Sequence, residues 1–436
     1  MIHATRLPNP LIIQPPTGRS KLGVFEFDPR QINSPKGIPA NPVDCGTNPA
    51  FTSKLLNGTK IPSLIFDAWP FFHAAAKTEL ARSFSAGCSV YHGMAITGVH
   101  GNMVRWDQPT LRIRRGGILS RKDASRTYLS SRFGEACAYL FMKDGGFHYW
   151  DHLPSLVDRV MGIGVSHPES VHRARVIKSR LKAAQKKRNQ TGVMRQPDFV
   201  FEKPNNERAL VESKGRMITP GKRPRFKRDL REALSQICVW QSLITGKIKA
   251  YGIGTYLREV GDQGDESLLA YVDPPGNNDD ESIIEFPDDA VRRGNFGAWL
   301  NGMGLSKAAY SLAFIEERAG EPVELPVIKV ANLDIAISVT DGFSPWLEYP
   351  MIYDHDFNFF VPGALVLGIE LSRMRVLESA ISNTQSLELL ELPDLAVDDI
   401  NFSQIEGIYG SVFPDGSFFG LVRGVGHEIR SEVFKL

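Results

Sequence analysis

The stretch Pro197-Asp198-Phe199-Val200-Phe201-Glu202-Lys203-Pro204-Asn205-Asn206-Glu207-Arg208-Ala209-Leu210-Val211-Glu212-Ser213-Lys214 decides how the chain reads. Two short apolar runs flank a polar break at Pro204-Asn205-Asn206, the pattern of a β-hairpin. An acid opens the first strand; an acid, a spacer and a lysine close the second. Residues two apart on a strand share a face. Glu212 and Lys214 therefore stand side by side, and Asp198 meets them from the neighbouring strand. Gathering two carboxylates and an ammonium costs free energy. The chemistry that uses such a set is the binding of a divalent metal and the handling of a phosphate. A plainer reading makes Asp198 a turn cap and Glu212–Lys214 a solvated pair. The apolar run Ala209-Leu210-Val211 argues against it, because a charged end on a buried strand is unusual away from a site.

Outward from the hairpin, the pattern predicts a helix around Ser131–Met142, with Phe133, Cys137, Leu140 and Phe141 on one buried face and Glu135 near its edge. After the hairpin comes a predicted helix from Asp229 to Leu243. It places Leu230, Leu234, Ile237 and Cys238 on the core face, with Gln236 and Trp240 on one flank. A β-rich run follows from Lys249 to Leu257.

On these residues the chain resembles the PD-(D/E)XK nucleases, the superfamily of the type II restriction enzymes. Pro197 and Asp198 match the first half of its signature, and Glu212, Ser213 and Lys214 the second. The order helix, two strands, helix, strand is similar to the superfamily's α-β-β-α-β core, over residues from near Asp123 to Asp273. The resemblance implies an α/β (α+β), restriction-endonuclease-like core with a mixed sheet. It implies a Mg²⁺-dependent phosphodiester hydrolase, with Mn²⁺ as a substitute, leaving 5′-phosphate and 3′-hydroxyl ends. Asp198, Glu212 and the Ser213 carbonyl would hold the metal, Glu135 would add a contact from the first helix, and Lys214 would serve the attacking water. Gln236 followed by Trp240 echoes the RecB-like members, which carry a supporting glutamine and an aromatic there; Trp replaces the usual Tyr.

At 436 residues the chain is long enough for two or three domains. Residues 1–120 read as a loop-rich and β-rich region, the first seventy of them as an irregular arm; 121–275 as the core; 285–436 as an α+β interaction, dimerisation or recognition region. That last region holds two helices, near Arg292–Met303 and Ser306–Glu317, and a hairpin around Pro414-Asp415-Gly416. No apolar run is long enough to span a bilayer. The N-terminus lacks a signal-peptide core. Cys45, Cys88, Cys137 and Cys238 are scattered without zinc-ligand spacing. These features suit a cytoplasmic protein with no membrane contact. His92 and His100 fit packing or solvation better than metal binding, while His148 and His152, flanking Trp150, read equally as substrate contacts or as aromatic packing.

The formal net charge is only +2, but its distribution is uneven: His172–Arg231 holds nineteen Lys or Arg against five Asp or Glu. Such asymmetry is the footprint of a nucleic-acid binder. Two basic segments bracket the hairpin. One is a predicted helix from Arg173 through Lys186, Lys187 and Arg188; the other is a proline-broken loop with Arg216, Lys222, Arg223, Arg225, Lys227 and Arg228. Double-stranded DNA is the expected partner. A restriction-like endonuclease in prokaryotic genome or antiphage defence is the function that follows by analogy, acting as a homodimer or with a partner protein through its terminal regions. The readings from other classes are a non-catalytic nucleic-acid-binding or assembly subunit and an RNA-cleaving effector.

Overall fold

In this computed structural model the described residues are 18–33, 58–80, 103–120, 122–160, 196–222, 224–262, 266–274, 284–314, 321–338, 351–354, 357–360, 364–382, 408–422 and 429–436, with 175, 176, 179 and 183. The fold is mixed α/β.

The chain begins with β1 (Arg19–Phe27), a short α1 (Pro29–Asn33), β2 (Thr59–Asp67) and α2 (Ala68–Leu80). A two-stranded ribbon, β3 (Val104–Arg105) and β4 (Arg112–Ile113), precedes the long α3 (Asp123–Asp144). Then come β5 (Tyr149–His152), α4 (Leu153–Val160), β6 (Phe199–Glu202), β7 (Arg208–Met217), α5 (Phe226–Gln241), β8 (Ile248–Leu257) and β9 (Leu268–Val272). The helix, hairpin, helix and strand expected between 123 and 257 are all present. Helix α3 forms because Leu129, Phe133, Ala136, Cys137 and Leu140 recur on one buried face. Strands β5 and β6 are buried almost throughout.

These strands form one seven-stranded mixed sheet in the order β2-β1-β9-β8-β7-β6-β5. Strands β5, β6 and β7 are an antiparallel meander, whereas β7 and β8 run parallel and are joined through α5. Two findings differ from the sequence reading. The supposed irregular arm contributes β1 and β2, which extend the sheet through a parallel pairing of β1 with β9. And Tyr149–His152, to which the sequence reading assigned no strand, pairs with β6.

The remaining elements are α6 (Ala290–Gly302), α7 (Ser306–Phe314), β10 (Pro322–Val330), β11 (Leu333–Ser338), the ribbon β12 (Met351–Asp354) and β13 (Phe357–Phe360), β14 (Ala364–Glu370), α8 (Leu371–Ser382), β15 (Ile408–Val412), β16 (Ser417–Val422) and β17 (Ile429–Lys435). A second, six-stranded sheet runs β15-β16-β14-β11-β10-β17. The expected hairpin is there, with Gly416 at φ 84° in its turn.

Helix α6 holds the two sheets together. At one end Arg292 donates to Glu202 Oε1 at 2.8 Å, while Arg208 donates to Glu202 Oε2 at 2.7 Å. At the other end Trp299 Nε1 donates to the Gly368 carbonyl at 2.8 Å. The apolar core runs unbroken from α3 and β6–β7 through α6 to β14 and β16.

A fully buried polar cluster crosses that core. Lys77 on α2 pairs with Asp415 in the β15–β16 turn and donates to Ser417 Oγ at 3.1 Å. Asn295 on α6 donates to Asp415 Oδ2 at 2.8 Å, and Ser417 Oγ to Asp415 Oδ1 at 2.6 Å. The His73 ring lies between Ser411 and Ser417, at 2.9 and 3.1 Å from their hydroxyls. Burial opposes ionisation of Asp415, but Lys77 with the Ser417 and Asn295 hydrogen bonds outweighs it and brings the carboxyl down to about 2. Removing one member of a buried ion pair strands the other charge, at a cost of about 3–5 kcal/mol, whereas replacing both by apolar residues costs far less. Lys77→Ala should therefore lower the denaturation midpoint strongly, and Lys77→Met with Asp415→Leu much less. Equal losses in denaturant titrations of the two variants would remove the pair's role as a lock between α2 and the second sheet.

Candidate functional site

The register of the hairpin assembles the site. Phe199 pairs with Val211, which places Asp198, one residue earlier, across from Glu212. The two are interlocked through the backbone: the Asp198 N–H donates to Glu212 Oε2 at 3.1 Å, and the Ser213 N–H donates to Asp198 Oδ2 at 3.0 Å. Lys214 Nζ donates to Glu212 Oε1 at 2.5 Å.

Helix α5 covers this face. Glu212 is paired in register with Gly252 on β8, and a Cβ on Gly252 would lie 3.2 Å from the Ala233 Cβ of α5. From α5, Gln236, with its amide nitrogen turned to the carboxylate, donates to both Glu212 oxygens at 2.7 and 3.0 Å. Glu232, one turn earlier, stands 3.7 Å from Lys214 Nζ. Glu232 was not singled out from sequence. The signal was its position four residues before Gln236, on the same flank of the helix. Trp240 is fully buried rather than at the site.

Helix α3 covers the opposite face of β7. A Cβ on Gly215 would fall 1.7 Å from the Ser130 carbonyl oxygen, and one on Gly134 would fall 2.5 Å from the Gly215 Cα. Only a pair of glycines permits this crossing. Glu135 lies on α3, where it accepts from Ser131 Oγ at 2.8 Å and from Arg132 at 2.9 Å; Arg132 also bridges to Glu79 of α2 at 2.7 Å. Glu135, expected to add a direct or indirect metal contact, is thus bonded to Ser131 and Arg132 of its own helix. Among the described residues no group of three or more His, Cys, Asp or Glu is placed to hold a metal ion. The oxygens that do converge belong to Asp198 and Glu212. Two hard carboxylates suit Mg²⁺, which keeps waters and takes the rest of its shell from substrate phosphate.

Of the basic segments, Lys222, Arg225 and Arg228 are exposed and Lys227 is half-buried. Arg216 is turned to α5, where Asp229 accepts from it at 2.8 and 3.3 Å. Arg175, Val176, Ser179 and Ala183 are helical and exposed. Arg173, Lys186, Lys187, Arg188 and Arg223 lie outside the described residues, as do His92, His100, Cys45 and Cys88. His152 bonds Ser155 Oγ at 2.8 Å and packs against Phe199, while His148 contacts the Tyr149 ring. Comparison of the chain with protein-family models, with curated proteins and with solved structures finds no match. No helix among the described residues is long and apolar enough to cross a membrane.

Glu212 is only 3% exposed. Burial pushes its carboxyl up to about 8, and the Asp198 charge pushes the same way against the pull of Lys214. The sign of the linkage follows. A folded pKa raised above the ordinary 4.5 means that the native state holds a proton the unfolded chain has released. Stability should fall as pH rises from about 4.5 to about 8, with a limiting slope of about 1.4 kcal/mol per pH unit from this one group. Glu212→Gln should flatten that segment of a stability–pH profile taken by chemical denaturation. An unchanged slope in the variant would mean that Glu212 is ionised throughout the window.

Proposed function

We propose that this protein is a metal-dependent nuclease of the PD-(D/E)XK type that hydrolyses phosphodiester bonds in double-stranded DNA, as a restriction-like effector of genome or antiphage defence. The observation that carries the reading is the convergence, across the β6–β7 register, of Asp198, Glu212 and Lys214 with Gln236 from α5. A restriction-endonuclease-like core is the fold this reading assigns to α3, β5–β7, α5 and β8.

Hydrolysis of a phosphodiester needs an attacking hydroxide, neutralisation of charge at phosphorus and help for the leaving oxygen. Mg²⁺ or Mn²⁺ at Asp198 and Glu212, with the Ser213 carbonyl as a further hard ligand, would supply charge neutralisation and a more acidic water. The chain's own groups do the rest. The Ser213 N–H fixes the Asp198 carboxylate through one oxygen. Gln236 orients Glu212 through both its oxygens. Lys214 balances Glu212 before substrate arrives; with Glu212 engaged elsewhere, its ammonium is placed to orient the attacking water and stabilise the extra negative charge on the phosphorane-like transition state.

Lys214→Ala and Glu212→Ala should each lower cleavage of plasmid DNA by about 10²-fold or more while leaving a folded protein. Cleavage should require Mg²⁺ or Mn²⁺, vanish in EDTA, and be weak in Ca²⁺, whose looser coordination relaxes the geometry. The assay should run supercoiled, linear and single-stranded DNA beside RNA, because the metal site does not choose the sugar. Full activity in excess chelator, or in well-folded Lys214→Ala, would reject the assignment.

A further inference from the structure

The dense run of cations between 172 and 231 is not the only basic segment beside this site. Between Arg112 and Arg126 the sequence holds six Lys or Arg and one acid, Asp123. Asp123 is spent locally on Arg126, at 2.5 Å. Between Ile113 and Ser120 the chain forms a hydrogen-bonded turn at the surface. The buried Glu259 carboxylate accepts the Gly116 N–H at 3.0 Å and the Ile118 N–H at 2.5 Å. The Ile113 N–H donates to the Arg258 carbonyl at 2.7 Å, and the Val260 N–H returns a bond to Ile113 at 2.8 Å. Gly116, at φ 76°, has nothing within 4 Å of where a Cβ would lie. Arg115, Lys122 and Leu119 are exposed around it, Leu119 by 64%.

Two contacts tie the turn to the site. Arg258 donates to the Lys222 carbonyl at 3.4 Å, joining it to the loop that leaves β7. Lys122 directly precedes α3, which crosses β7 at Gly134 and Gly215, the residue after Lys214. At 1.5 Å per residue, roughly 18 Å of helix separates Lys122 from that crossing, the rise of about five base pairs of duplex.

We propose that the turn 114–120, with Lys122 beyond it, is a second contact for the DNA backbone, with Arg114, Arg115 and Lys122 as phosphate ligands. The proposal rests on the nuclease reading for its position, but not for its chemistry. A turn pinned by a buried carboxylate presents its cations without the ordering cost that flexible side-chain arms would incur. Its charges, and those of Lys222, Arg225 and Arg228, fall on segments that Arg258 connects, so that the two runs make one cationic rim. Ionic, sequence-independent phosphate contacts are what such a rim can make.

The test compares full-length wild type with Arg114→Ala/Arg115→Ala/Lys122→Ala, and with a charge-conserving variant, Arg114→Lys/Arg115→Lys. Affinity for a fluorescent 20-base-pair duplex is measured in EDTA over a salt series, beside plasmid cleavage by the wild type in Mg²⁺. The triple variant should lose affinity on the order of ten-fold, and its log–log salt slope should fall by about 2.7, near 0.9 for each phosphate contact. The charge-conserving variant should keep the wild-type slope. An unchanged slope in a folded triple variant overturns the turn assignment while cleavage by the wild type leaves the nuclease reading standing. Loss of duplex binding in the triple variant with a wild type that cleaves nothing keeps the rim and sinks the nuclease. Loss seen only on anionic lipid vesicles, with duplex affinity intact, would assign the rim to a membrane surface and overturn the proposal.

Discussion

The pairing of Phe199 with Val211 is the constraint on which the site depends. Strand side chains alternate, so a slip of one residue would turn Glu212 and Lys214 to the α3 face and bring Ser213 against α5. Burial on both faces prevents the slip. Val200, Leu210 and Val211 are completely enclosed, and α3 touches β7 where only Gly134 and Gly215 leave room. A shifted register would put Lys214 at that crossing, against the Ser130 carbonyl. The glycine contact on one face thus enforces the placement of the charges on the other.

Among the described residues, the buried lysine–carboxylate pairs Lys77–Asp415 and Lys214–Glu212 behave oppositely. Burial opposes ionisation of both acids, yet Asp415 is pulled to about 2 while Glu212 is pushed to about 8. The difference is in what else faces each acid. Asp415 meets only donors: Lys77, Asn295, and both the hydroxyl and the N–H of Ser417. Glu212 has Lys214 and Gln236, but also a second carboxylate, Asp198, on the adjoining strand. A cluster built for stability surrounds its anion with donors; placing two acids together gives up stability that a cation from outside could restore. That asymmetry is what the proposed function uses: it takes Asp198–Glu212 as the working cluster, while Lys77–Asp415 ties α2 to the second sheet.

The core elements were legible in sequence because each carries its own period. Leu129, Phe133, Ala136 and Leu140 repeat at helical spacing, and the β6–β7 hairpin has apolar strands around Pro204-Asn205-Asn206. Glu212 and Lys214 could be read because strand periodicity puts them on one face, with Asp198 beside them on the neighbouring strand, and Gln236 because of the resemblance to the RecB-like members. What failed was tertiary. Strands β1 and β2 contain polar residues and a proline, and their place is set by the pairing of β1 with β9, where Gly23 meets Leu268, 245 residues on. Strand β5 has four residues, too few for alternation to show. Asp415 looked like an ordinary turn residue because its cation, Lys77, is far away in sequence.

The same lesson applies to charge. A count along the chain finds the basic window that brackets the hairpin, because its lysines and arginines are contiguous. It gives no reason to join the 112–126 segment to that window, since α3 and the β6–β7 hairpin lie between them. The join is made by Arg258 and Glu259 at the end of β8. Arg258 reaches the loop after β7, Glu259 anchors the turn before α3, and neither contact has any periodic signature. A buried acid holding two N–H groups is a costly way to fix a surface turn unless the position of that turn matters. Glu259 therefore does for the rim what Gly215 does for the carboxylates: a residue with no chemistry of its own fixes where the charged groups stand.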